Sequence, residues 1–335
     1  NVVAVRGTHQ AFMALTSGGD IYTWGVGTRI NGTGGQAGPQ NRSFATLINK
    51  PSGVTPKMIG MTASSQGKTY YLLATDGRLF AMGENQYGQL GNGSTTDSDT
   101  WIQVSASTTE SGTTYTISNN VLWISPMEHD RGTQIADNAA INIITDVGKV
   151  WAWGGNSYGM LGYSTGTSYA TTPGLMPGRT TGAYDNSKLN LSDFIMAVET
   201  GGHTTLLIKQ CSKKFGYVGH RVRGSMADGT NVDGQENIYN FGQTGDVTMC
   251  GAPTSPGVKD LDICPTQTAD LNDAILSNLP TGFYLEWWST SNRQAGTQLS
   301  NSDILAVGPG SYYAFYIANE GPCENPAYSE VKVIE

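Results

Sequence analysis

The sequence predicts an all-β chain in two parts, a repeat array over residues 1–255 and a different module over 256–335. Three observations carry this expectation. Only 14% of the 335 residues are charged, against roughly a quarter in an average soluble protein. Gly accounts for 44 residues, and Thr, Ser and Asn stand where long surface helices would need Ala, Leu, Glu and Lys, so strands and turns are favoured over a helical or doubly wound enzyme. The second observation is an internal repeat, and the third is its disappearance after the Pro/Gly-rich stretch Pro253-Thr254-Ser255-Pro256-Gly257.

The first copy, near residues 1–57, reads Gly7-Thr8-His9-Gln10-Ala11-Phe12-Met13-Ala14-Leu15-Thr16, then Gly18-Gly19-Asp20 and Ile21-Tyr22-Thr23-Trp24-Gly25. An apolar run, a Gly-containing turn and a second run of alternating character are hairpin signals. The second copy, near 58–120, returns as Tyr71-Leu72-Leu73-Ala74-Thr75-Asp76-Gly77-Arg78-Leu79-Phe80-Ala81-Met82-Gly83 and continues through Asn85, Tyr87, Gly88-Gln89-Leu90-Gly91. Asp76-Gly77 places Gly where a tight turn needs positive φ, and the Gly after each Trp or Met removes a Cβ where strands crowd. The third copy, near 121–193, runs Ile141-Asn142-Ile143-Ile144-Thr145-Asp146-Val147-Gly148 into Trp151-Ala152-Trp153-Gly154 and Gly159-Met160-Leu161-Gly162. The fourth, near 194–252, is degraded but visible in Gly202-His203-Thr204-Thr205-Leu206-Leu207-Ile208 and Gly219-His220-Arg221-Val222-Arg223-Gly224. Steps of 58, 71 and 65 residues from Trp24 to Met82, Trp153 and Val218 suit a four-stranded unit with an insertion and are long for a solenoid turn.

The order G-x-x-H, A-L-T-x-D-G, W-G-x-N and G-Q-L-G resembles the regulator-of-chromosome-condensation repeat, in three copies well and in the fourth partly, over about residues 1–250. The resemblance implies a β-propeller whose blades are four antiparallel strands around an axis. It does not bring nucleotide exchange with it, because the family's exchange loops lie outside the repeat pattern and no positions here match them. The family's rings usually have seven blades and four are visible, so the unpaired edges predict further blades before Asn1, or an open ring capped by another domain or subunit.

In the tail, strands are predicted near 258–264, 268–276, 282–289, 303–307, 311–318 and 328–334, giving a small β-sandwich. The order Cys264-Pro265-Thr266, Leu285-Glu286-Trp287-Trp288, Gly310-Ser311-Tyr312-Tyr313-Ala314, Cys323 and Val331-Lys332-Val333 resembles the Ig-like modules of large secreted surface and adhesion proteins of Bacteroidota-type bacteria. That resemblance implies an Ig-like sandwich with a corner tyrosine, an extracellular setting and type IX secretion, although the signal of that route is not recognisable here.

Charge and cysteines narrow the function. The net charge is −8; residues 1–255 hold 16 basic and 17 acidic side chains, and 256–335 hold 3 and 10. So little Lys and Arg argues against a nucleic-acid partner, and no apolar stretch reaches the ~18 residues of a membrane span. Cys211, Cys250, Cys264 and Cys323 show no C-x-x-C pair and no zinc-finger spacing, so two disulfides, Cys211–Cys250 and Cys264–Cys323, are preferred over four buried thiols.

No catalytic residue, enzyme activity or cofactor is expected. His9 and His203 share the repeat's His slot, Gly224-Ser225-Met226-Ala227 lacks the closing Gly of a nucleophile elbow, and Gly32–Gly38 misses phosphate-loop spacing. Asp228, Asn231, Asp233 and Glu236 form a calcium candidate, set against a plain blade loop because the twelfth loop position is Asn240 rather than Glu. Lys209, Lys213, Lys214, His220, Arg221 and Arg223 form a basic cluster, read as an exposed blade face with an anionic ligand as the alternative. Trp123 is assigned to the core beside Leu122 and Ile124, while Trp101, Tyr169 and Tyr184 are candidates for stacking on a protein or glycan partner. The resulting expectation is a secreted surface protein acting in adhesion or an extracellular appendage, with partners on another surface or further subunits. The alternatives are an inhibitory binding propeller and an intracellular exchange or scaffold factor.

Overall fold

A computed structural model describes residues 1–28, 40–63, 68–128, 139–163, 168–176, 187–210, 212, 214–245, 255–280, 283–293, 296–318 and 328–335. The chain divides into two compact units, Asn1–Lys209 with Lys214–Asp246, and Gln210–Lys213 with Val247–Glu335.

The first unit contains four antiparallel four-stranded sheets, each with its strands in chain order. Blade 1 is β1 (Val2–Thr8), β2 (Ala11–Thr16), β3 (Ile21–Thr28) and β4 (Gln40–Ile48). Blade 2 is β5 (Pro56–Ala63), β6 (Lys68–Ala74), β7 (Leu79–Gly83) and β8 (Ser98–Gln103), and a hairpin of β9 (Ala106–Glu110) and β10 (Thr113–Ile117) follows it. Blade 3 is β11 (Val121–Pro126), β12 (Ala140–Thr145), β13 (Val150–Gly155) and β14 (Tyr169–Leu175). Blade 4 is β15 (Ile195–Gly201), β16 (Thr204–Lys209), β17 (Gly216–Arg221) and β18 (Gly234–Asn240).

Glycine fixes this plan at one recurring position. Gly25, Gly83, Gly154 and Gly219 have φ of +104°, +118°, +94° and +104°, and a Cβ on any of them would collide with the carbonyl oxygen of Gln10, Lys68, Ala139 or His203, at or just before the start of the second strand. At that residue the pairing of the third strand with the fourth shifts register in every blade. Only Gly meets both the backbone conformation and the close approach.

Blades pack face to face. Met13 and Leu15 of blade 1 meet Tyr70, Leu72 and Met82 of blade 2. Tyr71, Leu73 and Ala81 on the opposite face meet Ile141, Ile143, Trp151 and Trp153 of blade 3. Ala140, Ile144 and Ala152 then meet Val198, Leu207, Val218 and Phe241 of blade 4. Strands β6, β7, β12 and β13 are therefore buried along their whole length, which is why they read as continuous apolar runs. Burial of each Leu, Ile or Met contributes ~1.5–3 kcal/mol.

Trp123 is a correction to the sequence reading. It is 43% exposed and Leu122 46%, because β11 carries a bulge between Val121 and Trp123 that turns both outward. The first strands of the other blades have the same irregularity, at Val2/Ala4, Pro56/Met58 and Ile195/Ala197.

In the second unit, β19 (Leu261–Asp262), β20 (Phe283–Trp288), β21 (Gly310–Ala318) and β22 (Tyr328–Ile334) form one sheet in the order β19-β22-β21-β20. The pair β19/β22 is parallel and the other two are antiparallel. The strands expected at 268–276 and 303–307 are absent as such. The first is interrupted by a 3-10 turn, Leu271–Ala274, whose cap Asp270 accepts from Asn272 N. The second is displaced by the one-turn helix α1 (Asn301–Ile304), started by a capping box between Ser300 and Asp303. Local side-chain bonds to the backbone compete with strand pairing at both places, leaving single bridges Val258↔Ile275 and Ala269↔Val307. Leu271, Ala274, Trp287, Ala314, Val331 and Val333 form the core on one side of the sheet.

Of the expected Cys264–Cys323 pair, Cys264 is exposed and unbridged among the described residues, and it opens a surface turn in which Gln267 N donates to Cys264 O. Cys323, Cys211 and Cys250 lie outside the described residues.

Burial raises the phenol pKa of Tyr71, Tyr163 and Tyr239. Since the folded state favours the neutral phenol, this stability is complete below the ordinary tyrosine value of about 10 and is lost as pH rises above it. Alkaline difference spectra are expected to show exposed tyrosines ionising first, and these buried ones only together with loss of the β circular-dichroism signal.

Candidate functional site

The connections from third to fourth strand gather at one end of the blades, and the Asn of the W-G-x-N motif builds them. In blade 2, fully buried Asn85 donates through Nδ2 to Ser94 O at 2.9 Å and Thr96 O at 3.0 Å, and its Oδ1 accepts from Leu90 N at 2.8 Å. In blade 3, Asn156 Oδ1 likewise accepts from Leu161 N at 3.0 Å. Each loop also hooks the next blade. Gln89 O accepts from Trp153 Nε1 at 2.9 Å, and Met160 O accepts from Thr205 Oγ1 at 3.1 Å.

These frames hold aromatic and imidazole rings in fixed positions. Tyr158, at φ +57°, stacks on His220 at 4.3 Å and on His203 at 5.1 Å between centroids. His220 Nε2 lies 2.8 Å from Asp233 Oδ1, and Arg221 Nη1 donates to Glu236 Oε1 at 3.0 Å. One blade earlier, Tyr87 meets Tyr169 edge-on at 6.1 Å. Beside the first group is an open depression of about 390 Å³ lined by Arg221, Asp228, Thr230, Val232 and Gln243. Rings, guanidinium and carboxylates so arranged suit recognition of a polar, partly aromatic surface.

The calcium candidate is dispersed by its own partners. Asp228 Oδ1 accepts from Thr230 N and Oγ1, both at 3.0 Å; the backbone bond from Thr230 is the main cause holding its carboxyl below the usual range. Asp233 serves His220, Glu236 serves Arg221, and Asn231 is exposed. Among the described residues no three His, Cys, Asp or Glu converge on a metal position.

The basic cluster also disperses. Lys209 is buried, with Nζ 3.3 Å from Asp193 Oδ2 and 4.4 Å from the Phe241 ring, so it belongs to the interior and not to an exposed face. Lys214 Nζ donates to Thr244 O, and Lys213 lies outside the described residues. Trp101 is structural, donating through Nε1 to Asn49 O at 2.6 Å and packing at the edge of the blade 1–2 core. Tyr169 joins the loop end as expected of a surface aromatic, and Tyr184 lies outside the described residues.

Strand register corrects the shared histidine slot. Ala11 faces Gly25 and Thr204 faces Gly219, so His203 corresponds to Gln10 and His9 is one position away. Sequence reasoning missed Tyr158 and His220 as a unit; the available signal was the Tyr-Gly pair after the Asn in copies two and three.

Residues 76–109 match the regulator of chromosome condensation (RCC1) repeat. That stretch spans the β6–β7 turn, β7, the Asn85 loop, β8 and most of β9, and with four sheets of this plan the first unit is an RCC1-like β-propeller array. The human E3 ubiquitin-protein ligase HERC2 is 26% identical over 177 residues, 52% of this chain and 3% of that protein. Human WBSCR16 is similar in structure at a TM-score of 0.49 and 19% identity, covering 76% of this chain and 54% of that one. Yeast RCC1 (Prp20), in a crystal structure with Kap60, gives 0.46 and 14%, covering 98% and 61%. The chain thus spans a small fraction of HERC2 and little more than half of the two solved chains.

Two outcomes are expected from these RCC1-like loops. Asn85→Ala removes several buried bonds at once and should cost about 2–3 kcal/mol, measurable by urea unfolding. Calcium should leave the melting temperature unchanged, whereas a specific site at a hundred times its Kd would add about 2.7 kcal/mol.

Proposed function

We propose that this chain is a non-catalytic protein-binding module of a cell-surface protein, in which the RCC1-like array presents its loop end to a partner and an Ig-like second unit sets its reach. The observation that carries the reading is the fixed aromatic–imidazole–guanidinium group at Tyr158, His203, His220 and Arg221, with the Tyr87–Tyr169 pair one blade earlier. Tyr and Arg are the residue types on which interface energy concentrates, and rings already immobilised lose little entropy on binding.

The Ig-like reading of the second unit is supported by its sheet order, with first and last strands parallel and adjacent. It is also supported by Trp287, buried on β20, and by Tyr312 near the start of β21, whose hydroxyl donates to Gly308 O at 3.0 Å. The last contact has the form of a tyrosine corner. A surface setting rests on that pairing of modules together with low charge, and adhesion is the role proposed within it.

Cross-linking of the native protein on intact source cells, followed by peptide mapping, tests the reading. The expected partner is a protein whose cross-links fall in residues 84–97 and 156–163 or around Arg221, and Tyr158→Ala and Tyr87→Ala should each weaken it about tenfold, ~1.4 kcal/mol. Selective retention on a glycan array without a protein partner, or cross-links confined to the second unit, would overturn it.

A further inference from the structure

Every joint between blades follows one rule. The second- and third-strand residues of a blade's leading face, Tyr70 and Met82, Ile141 and Trp153, or Thr205 and Val218, are fully buried by the trailing face of the blade before. In blade 1 the corresponding pair is Phe12 and Trp24. They stack at 5.5 Å, yet Phe12 is 42% exposed, and no apolar cluster covers this face among the described residues. At the other end, the trailing face of blade 4 leaves Ile238 55% exposed and Leu206 and Ile208 half-buried, where Met13 and Leu15, or Tyr71 and Leu73, are buried in their joints. Among the described residues, blade 1 and blade 4 therefore each present a face that no joint covers.

The hook at the joint between blades 3 and 4 is also duplicated. In blade 3, Tyr158 and Gly159 (φ +57° and +72°) carry the loop over the His203 turn of blade 4. In blade 4 the same bend recurs 65 residues later at Arg223 and Gly224 (φ +52° and +77°), with Ala227 N bonded to Gly224 O as Gly162 N is to Gly159 O. Arg223 is exposed. The turn of blade 1 that corresponds to His203 borders an open depression of about 520 Å³ lined by Gly7, Thr8, His9, Gln10, Phe12 and Glu128. Among the described residues its one carboxylate is Glu128, which lies 3.7 Å from Arg6 Nε and feels the like charge of Glu199.

We propose that a second copy of this chain fills that depression, blade 4 of each copy packing on blade 1 of the other with Arg223 over Phe12 and against Glu128, so that two four-bladed arrays close one eight-bladed ring. Two identical joints related by a twofold axis use up both free faces and leave no open end for a filament, and eight lies within the four to eight blades typical of propellers. The joint continues an interface already present three times in the chain, and its charges are complementary.

Sedimentation velocity of the 335-residue chain over a concentration series tests this. A dimer is expected. Arg223→Glu and Phe12→Glu should each weaken it at least tenfold while leaving the melting temperature of the monomer unchanged, and adding Glu128→Arg to Arg223→Glu should restore it, a rescue that a merely structural Arg223 would not give. A wild-type chain monomeric throughout, an open-ended polymer, or a dimer indifferent to both Arg223→Glu and Phe12→Glu would overturn the proposal.

Discussion

A four-stranded sheet with two apolar faces and no helix to cover either must find another sheet on each side, and the first unit depends on that requirement. Strand β6 shows it most directly, because Tyr70 and Leu72 point into one joint and Tyr71 and Leu73 into the next, all fully buried. Stacked sheets of this kind have no edge-to-edge bonds to hold them together, so complementarity must come from side-chain volume and from the loop carbonyls that blades 2 and 3 hook onto their successors. Gln89 O takes the Trp153 indole N–H and Met160 O takes the Thr205 hydroxyl. An indole N–H buried without such an acceptor would cost about 1–3 kcal/mol, so the hook removes a penalty as well as fixing register between blades.

The joint between blades 3 and 4 solves the same problem with polar groups. Asn142 Nδ2 donates to Thr200 Oγ1 at 2.8 Å, Thr200 N donates to Ser125 Oγ at 2.7 Å, and nearby Lys209 pairs with Asp193 inside the unit. A buried ion pair adds little net stability over apolar residues of the same shape, but losing one partner costs several kcal/mol. The bonds that cross between the blades are those of Asn142, Thr200 and Ser125, and their directionality ties blade 4 to blade 3 at defined positions where apolar contacts alone would not.

Much of this was legible in the sequence, for physical reasons that also explain the failures. Gly25, Gly83, Gly154 and Gly219 announce themselves because no other residue fits a positive φ against a neighbouring carbonyl, so the repeat could be read. Trp123 could not, because one extra residue in a bulge reverses the inside–outside alternation and nothing in the local composition marks it. Residues 268–276 and 303–307 have strand-like composition, but Asp270 and Ser300 cap short helical turns there. The shared histidine slot failed by a single position, since motif spacing ignores register. In the candidate site, Tyr169 was singled out from its place in an insertion and packs edge-on against Tyr87, whereas the Tyr158–His220 stack joins residues from two blades and appears only when the joint is built.

The charged residues lead to a last step of argument. Counted along the chain, Lys209, Lys213, Lys214, Arg221 and Arg223 form a basic cluster, read as an exposed blade face with an anionic ligand as the alternative. In space, Lys209 is interior, Lys214 serves backbone carbonyls and Arg221 serves Glu236. An anion would have to compete with these partners inside the fold, at a cost that exposed charges do not face. What the loop end offers instead is orientation, with rings clamped by neighbours and carboxylates already engaged. Under the binding role proposed above, a surface of that kind would discriminate by shape and by single directed bonds more than by field strength, which suits a folded protein surface better than a flexible polyanion.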